Sequence, residues 1–513
     1  MSAPSQPSHP PEIPRETGRA RPAWLLAAAL LGLLFYLPEV LSRPLFGDDA
    51  FYIWGATLIH HGFYPIHDFF AIDPAGTWAY FCGVRALFGE GSMGYWGMVT
   101  LNVTVTAALL GLVARQMGGA AAGVWTAFLF ALFQLRCLPA FELVGKDMLG
   151  FPFVLGGLLL AARSRWWIPA QLLVGVGLAI KPTLGAVWLV WMAADLWRFR
   201  DRLGWWLVRA AVAAVAIGLP FLAATEWAEQ HGWGWAALKV NAGLRGNGYG
   251  AYFSGSTLYK LLHDILPAIW LSPLVVAGAR GLWPGNAGKC QLLGALVAGG
   301  FVNWAIQPMF NSWYFVSFYG GLMVVAGMGV TRLLPRLSGQ IAIMICAALF
   351  FAFVPATNLR WIKLLTDIHG KDRYTLADHQ SRLMAEYALG NTPPIIQAWV
   401  RDEVARLTDH QGRVGVLVTD GSLLWALRDY RPGFWADWCP SWNPQQLADG
   451  VASGSADVLV SVEDLAGGTN ANIYYDQVAK LRWEVPARAL TALENQYQPV
   501  AEKFGYVIYV RRK

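Results

Sequence analysis

Two carboxylates stand side by side at Asp48 and Asp49, in the stretch FGDDAFYIWGATLIHHGFYPIHDFFAIDPAGTWAY from Phe46 to Tyr80. A third acid, Asp73, follows in AIDPAGTW. A lysine–aspartate pair, Lys146 and Asp147, opens KDMLGFPFVLGG, and Lys181 interrupts apolar sequence in GLAIKPT. A carboxylate beside hydrophobic sequence can take a proton from a hydroxyl, orient a substrate, or share a divalent cation, and partial loss of water raises its basicity. A lysine in the same setting can neutralise an anion such as a phosphate. Plainer readings stand beside these. Aspartate is a favoured helix N-cap, and a boundary lysine extends its ammonium to water. Capping accounts for one acid of the adjacent pair and leaves the other unexplained, and ionisable groups set against a membrane are more often functional than decorative.

The chain that must position these groups is apolar. Of its 513 residues 56% are hydrophobic and 14% charged, with 26 tryptophans, a composition that excludes a soluble globular protein. Runs of the ~20 apolar residues needed to cross a bilayer recur about eleven times. They centre near Leu31, Val105, Phe128, Leu155, Val174, Leu189, Ala214, Trp270, Val297, Leu322 and Ala348. The fold class is therefore an α-helical polytopic membrane protein. PRETGRARP precedes the first run, and no Ala-x-Ala cleavage site follows it. Residues 1–21 thus read as a disordered cytoplasmic tail and the first span as an anchor.

Basic residues orient such chains, because short loops rich in Lys and Arg stay in the cytoplasm. With Arg15, Arg19 and Arg21 inside, every second loop is cytoplasmic, and these loops hold Arg115, Arg163, Arg165, the RFRDR run, Arg280, Lys289, Arg332 and Arg336. The net charge of +6 follows from this inner set and gives no reason to expect a nucleic-acid partner. The alternate loops face outward and carry Asp48, Asp49, Asp73, Lys146, Asp147, Lys181 and Arg245. Five scattered cysteines form no metal or disulfide pattern.

Residues 22–357 make the membrane unit. Its first outer loop, 42–92, is too long for a connector, and Ala50–Ile59 and Thr77–Phe88 within it have the periodicity of short interfacial helices. Residues 358–513 return to soluble composition. RLMAEYALG and IIQAWVRDEVARLTDH read as helices, RVGVLVTD, ADVLVSV and FGYVIYVRR as strands, and VLVTDGSLLWALRDY as strand, turn and helix, which together give an outer α/β domain. Arg245 lies in an outward loop, EQHGWGWAALKVNAGLRGNGYGAYFSG, whose composition suits either a mobile flap that stacks on sugar rings or an interfacial tryptophan belt.

DDAFYIWGATLIHHGFYPIHDFFAIDPAGTWAYF, KDMLGFPFVLGGLLLAA, VGLAIKPTLGAVWLV and NSWYFVSFYGGLMVVAG together resemble the GT-C superfamily of polytopic glycosyltransferases. The nearest branch is that of the protein O-mannosyltransferases, aminoarabinose transferases and rhizobial galacturonosyltransferase-like proteins. The resemblance covers most of the membrane unit and little of the outer domain. It implies a bacterial inner-membrane, multi-pass glycosyltransferase with its active site and C-terminal domain in the periplasm. Such an enzyme moves a sugar from a polyprenyl-phosphate donor to an envelope acceptor, whether lipid A, polysaccharide or protein. Asp48 then matches the family's first acid, the proposed general base, with Asp49 as its partner and Tyr52 on the same helix.

Lys181 matches the lysine of the corresponding family run, and Lys146, Asp147, Asp73, Arg245 and Tyr314 complete the set expected around the donor phosphate or sugar. Arg43 and Arg85 are further outward-facing cations. Two positions depart from the family. Asp73 stands where many relatives have a basic residue before proline, and Trp313-Tyr314 stands where many have His-Tyr. The resemblance implies no cofactor. The acid at Asp73 leaves a divalent metal open, held by Asp48 and Asp73 with His60, His61 and His67 in the same loop. A transporter or flippase of lipid-linked sugars is the alternative, and it requires ionisable groups near the bilayer midplane rather than at span ends.

Overall fold

The computed structural model describes residues 22–34, 47–69, 73–137, 146–161, 166–239, 271–280, 282, 287–307, 312–334, 340–341, 344, 394–417, 421–433, 444–462, 487–503 and 506–512. Arg43, Arg245 with residues 240–255 of the flap loop, and the RLMAEYALG segment lie outside these residues.

The membrane unit is built of helices α1 (Pro22–Leu34), α2 (Gly47–His60), α3 (Ala75–Phe88), α4 (Ser92–Gly118), α5 (Ala120–Cys137), α6 (Lys146–Ala161), α7 (Trp167–Ile180), α8 (Gly185–Arg198), α9 (Leu203–Glu229), α10 (Ser272–Ala279), α11 (Ala287–Ala305) and α12 (Val316–Leu333). Three stretches among the described residues are long and apolar enough to cross a membrane: Gly97–Gly118, Arg200–Glu229 and Val316–Leu333. Shorter apolar helices occur at Ala23–Leu33, Ala120–Leu132, Trp167–Ile180 and Cys290–Ala305. The two helices expected in the first loop are present as α2 and α3. Helix α3 begins directly after Pro74 and ends at Gly89, whose φ of 81° stops it in the left-handed region.

The end of α7 is written in its sequence. A residue before proline is pushed out of the α region, and Lys181, followed by Pro182, has φ −141° and ψ 95°. The helix stops there, a single 3-10 turn (Pro182–Leu184) follows, and α8 starts. Lys181 thus emerges from a break between helices instead of from a helix face.

Close backbone approach brings the neighbouring elements to this break. A Cβ added to Gly150 of α6 would lie 2.7 Å from the Gly177 carbonyl oxygen of α7, and one on Gly177 would lie 2.6 Å from the Gly150 oxygen. The two helices therefore touch backbone to backbone in the small-residue manner. Asp147 precedes the first of these glycines by three residues, and Lys181 follows the second by four. On the other side, Gly76 of α3 meets Ala179, with its missing Cβ 2.3 Å from the Ala179 carbonyl oxygen, and Thr77 Oγ1 donates to the Ile180 carbonyl at 2.8 Å. The start of α3, and with it Asp73, is thereby held against the end of α7.

The C-terminal residues form an α/β unit. Its sheet has the order β2-β1-β3-β5-β4, built from β1 (Arg413–Val416), β2 (Arg431–Pro432), β3 (Val458–Val462), β4 (Tyr497–Lys503) and β5 (Tyr506–Arg511). Strand β1 pairs in parallel with β2 and β3, whereas β5 pairs antiparallel with β3 and β4. Helices α13 (Pro394–Thr408), α14 (Gly421–Ala426), α15 (Pro444–Ala452) and α16 (Ala487–Gln496) complete it. Helix α14 packs on α2. Beside that contact the Arg431 guanidinium lies 5.5 Å from the Phe63 ring centroid, and Arg428 Nε reaches Glu90 Oε2 at 3.8 Å. The C-terminal unit rests on the helix that carries the adjacent acids.

Gly76→Ala is expected to lower the thermal midpoint of the purified protein, at a cost of about 1–3 kcal/mol, because the new methyl meets backbone that cannot turn aside. Gly83→Ala on the same helix, where an added Cβ meets nothing, is the matched control and is expected to hold or raise the midpoint.

Candidate active site

Four charged side chains, from three places in the chain, converge where α3, α6 and α7 have their ends. Asp73, just before α3, is buried and takes two hydrogen bonds. Lys146 Nζ donates to its Oδ1 at 2.5 Å and the Tyr52 hydroxyl to its Oδ2 at 2.9 Å. The Lys146 ammonium also lies 5.0 Å from the Tyr52 ring centroid. That ring is fixed in turn, stacked on Phe81 at 4.7 Å and edge-on to Trp78 at 5.6 Å. Asp73 is thus tied to α2 and α6 at once.

The second pair is deeper. Asp147 is 0% exposed, and a carboxylate so removed from water must be paired and hydrogen-bonded to remain ionised. Its Oδ1 accepts from Asn303 Nδ2 at 2.8 Å and from Gln307 Nε2 at 3.4 Å. Its Oδ2 makes no hydrogen bond and faces the Lys181 ammonium at 3.4 Å. Lys181, itself buried, also stands 5.0 Å from the centroid of the Tyr314 ring. Lys146 and Asp147 are consecutive, so the first turn of α6 belongs to both ion pairs.

Asp48 and Asp49 occupy the first turn of α2, and their side chains lie outside what the structure describes. Asp48 and Asp49 come four and three residues before Tyr52 in the same helix. The sequence set Tyr52, Asp73, Lys146, Asp147, Lys181 and Tyr314 is therefore one assembly. Arg85 does not belong to it: it sits in the last turn of α3 and pairs with Glu90. Nor do the loop histidines cluster near the acids. His60 ends α2, ~18 Å along the helix axis from Asp48, and His67 Nε2 lies 3.1 Å from the Gly232 carbonyl oxygen. Among the described residues no group of three His, Cys, Asp or Glu side chains is arranged to hold a metal.

Asn303 and Gln307 were missed by the sequence reading. Their signal was available: two carboxamides four residues apart, one helical turn, in the apolar run FVNWAIQ.

An apolar cavity of about 760 Å³ runs between α3, α4, α6 and α7, lined by residues that include Tyr80, Gly83, Leu101, Val105, Phe153 and Leu160 and by none of the four charged side chains. Phe153 lies two turns along α6 from Lys146, so the ion pairs and the cavity are neighbours.

The sequence matches no family model and no curated protein. Solved structures do match. ArnT from Cupriavidus metallidurans bound to undecaprenyl phosphate has a TM-score of 0.58 at 17% identity, covering 96% of this chain and 98% of that one. Its apo state gives the same score and identity over 95% and 97%. The Archaeoglobus fulgidus oligosaccharyltransferase tethered with an acceptor peptide containing the NVT sequon has a TM-score of 0.50 at 13% identity, over 96% of this chain and 74% of that one. At such identities the likeness establishes architecture alone: over nearly its whole length the chain has the fold of these two proteins.

Lys181→Met is expected to destabilise the protein by about 3–5 kcal/mol, because it strands the Asp147 charge in a buried site. Adding Asp147→Asn removes that charge and is expected to recover part of the lost thermal midpoint. Equal midpoints for wild type and Lys181→Met would show that the pair carries no such coupling.

Proposed function

We propose that the protein is a membrane glycosyltransferase that moves a sugar from a polyprenyl-phosphate donor to a hydroxyl of an envelope acceptor. The observation that carries this reading is the gathering of two lysines and two carboxylates at the ends of α3, α6 and α7, in a GT-C fold and beside an apolar cavity able to take a lipid chain. A transporter of the same lipids is disfavoured by the position of these charges at helix ends.

The chemistry needs three things. A base must take the proton of the attacking hydroxyl, cations must offset the charge of the departing phosphate, and the lipid chain must stay in an apolar environment. In a single inverting displacement the acceptor oxygen bonds to the anomeric carbon as the bond from that carbon to the phosphate oxygen breaks. The hydroxyl proton passes to a carboxylate, and the electron pair leaves with polyprenyl phosphate. Asp48 is the proposed base, Asp49 its partner, and Lys146 and Lys181 the phosphate partners. Asp73 and Asp147 already neutralise these lysines, so the incoming phosphate competes with two carboxylates instead of meeting bare charge. Asp73, the less buried of the two acids, is the one it most readily displaces. Arg245 is a further proposed donor contact.

The same reading puts the active site and the C-terminal unit, residues 358–513, on the periplasmic face of a bacterial inner membrane. The packing of α14 on α2 supports a role for that unit in receiving the acceptor, which is lipid A, a polysaccharide or a protein. No cofactor is required by this scheme, and a divalent ion shared by Asp48 and Asp73 is the variant to test by chelation.

Asp48→Asn separates the base from a cap, because asparagine caps helices about as well as aspartate but does not take the proton. The purified, reconstituted variant is expected to fold and to retain undecaprenyl phosphate, while sugar transfer falls by about 10²-fold or more. Asp49→Asn is expected to be milder. Normal transfer by Asp48→Asn would remove Asp48 from the chemistry.

A further inference from the structure

Asn303 lies in the last turn of α11, fully enclosed. Its Nδ2 makes two hydrogen bonds, to Asp147 Oδ1 at 2.8 Å and to the Tyr314 backbone carbonyl at 2.9 Å. These acceptors belong to the two groups that flank the Lys181 ammonium: Asp147, whose Oδ2 is 3.4 Å from Nζ, and Tyr314, whose ring centroid is 5.0 Å away. One carboxamide therefore fixes both sides of the space in which the Lys181 charge sits. Gln307, one turn further on, reaches the same Asp147 Oδ1 at 3.4 Å and Asn303 Oδ1 at 3.3 Å. It backs Asn303 on the Asp147 side.

We propose that Asn303 is a positioning residue that sets where the Lys181 ammonium meets the phosphate of a lipid-phosphate ligand. This inference rests on the donor-binding reading of the site. A lysine is a point charge on a flexible four-carbon stem and does not define its own location. Lys181 leaves the chain at a break between helices, where no helix face orients it. Its position is set by what it touches, and two of the groups it touches, Asp147 and Tyr314, are tied together by the Asn303 amide. Of the small side chains only asparagine supplies two N–H donors from one planar group, and both are used here. Loss of that group frees Asp147 to rotate and the Ser312–Phe315 turn to shift. The lysine charge is then spread over more positions, and affinity for a phosphate falls without any change in the apolar surface that holds a lipid chain.

The test compares undecaprenyl phosphate with undecaprenol, the same chain without the anion, for binding to the full-length protein in lipid nanodiscs. Wild type is expected to prefer the phosphate. Asn303→Ala is expected to lower the phosphate affinity by about tenfold, the size of one charge-assisted hydrogen bond, and to leave the undecaprenol affinity unchanged. Asn303→Ser, which keeps one donor, is expected to fall between, and it decides the matter by the same ratio if Asn303→Ala does not fold. Gln307→Ala is expected to have the smaller effect, since it leaves the Tyr314 bond intact. An equal loss for both lipids would mean that Asn303 is merely structural, and no loss for either would mean that it does not act through Lys181. Both results overturn the proposal. A wild-type protein that does not distinguish the two lipids overturns instead the donor reading on which the proposal stands, and the proposal with it.

Discussion

The carboxylate of Asp147 is taken wholly out of water, and the arrangement around it follows from that. An unpaired charge at such a site costs several kcal/mol, so the surrounding elements must bring donors to it. One amide comes from the last turn of α11, a second from just beyond its end, and an ammonium from the break after α7. That convergence is possible only because α6 and α7 meet backbone to backbone at Gly150 and Gly177 and because Pro182 ends α7 where it does. The adjacent residue, Lys146, is carried by the same turn of α6 to Asp73. Through the Tyr52 hydroxyl, Asp73 is joined to α2, whose first turn holds Asp48 and Asp49. A chain of contacts thus runs from the buried acid to the helix that bears the acid pair.

This network has no net charge among its four principal members. Two lysines and two carboxylates cancel, so an anionic headgroup gains affinity by exchanging partners rather than by meeting surplus positive charge. Under the proposed function, such a site would hold a phosphate where hydrogen-bond geometry favours it and release it readily, which suits a reaction whose product is a lipid phosphate. In the same proposal, the apolar cavity two turns along α6 would keep the lipid chain out of water while the headgroup exchanges. The C-terminal unit, seated on α2 through α14, adds a surface next to the acids from which an acceptor can reach them.

Much of this was legible from the residues. The apolar composition, the two helices of the first loop, and the strands at RVGV, VLVSV and YVIYVR all appear where their patterns put them. Of the acids and lysines that resemblance singled out, Asp73, Lys146, Asp147 and Lys181 come together. Pairing was not legible. Nothing local joins Asp73 to Lys146 across 73 residues, because ion-pair choice is decided by helix packing. The plainer reading of Lys181, a boundary lysine reaching water, does not hold: the Lys-Pro junction ends α7 there, and the side chain is buried against Asp147. Strand β4, YQPVAEK, escaped notice because it is polar on an exposed edge and contains a proline, both of which argue against a strand in sequence. His60 looked close to Asp48 in sequence, but the length of α2 separates the two, and His67 meets the Gly232 carbonyl instead.

The central claim is that the Lys146–Asp73 and Lys181–Asp147 pairs form the seat of a lipid-linked phosphate. A cryo-electron microscopy structure of the full-length protein in nanodiscs with undecaprenyl phosphate tests it most directly. The account expects headgroup density within hydrogen-bond distance of both Lys146 Nζ and Lys181 Nζ, with the Asp73 carboxylate moved off Lys146 and the prenyl chain entering apolar surface beside α6. Headgroup density elsewhere, with both ion pairs intact, would contradict it.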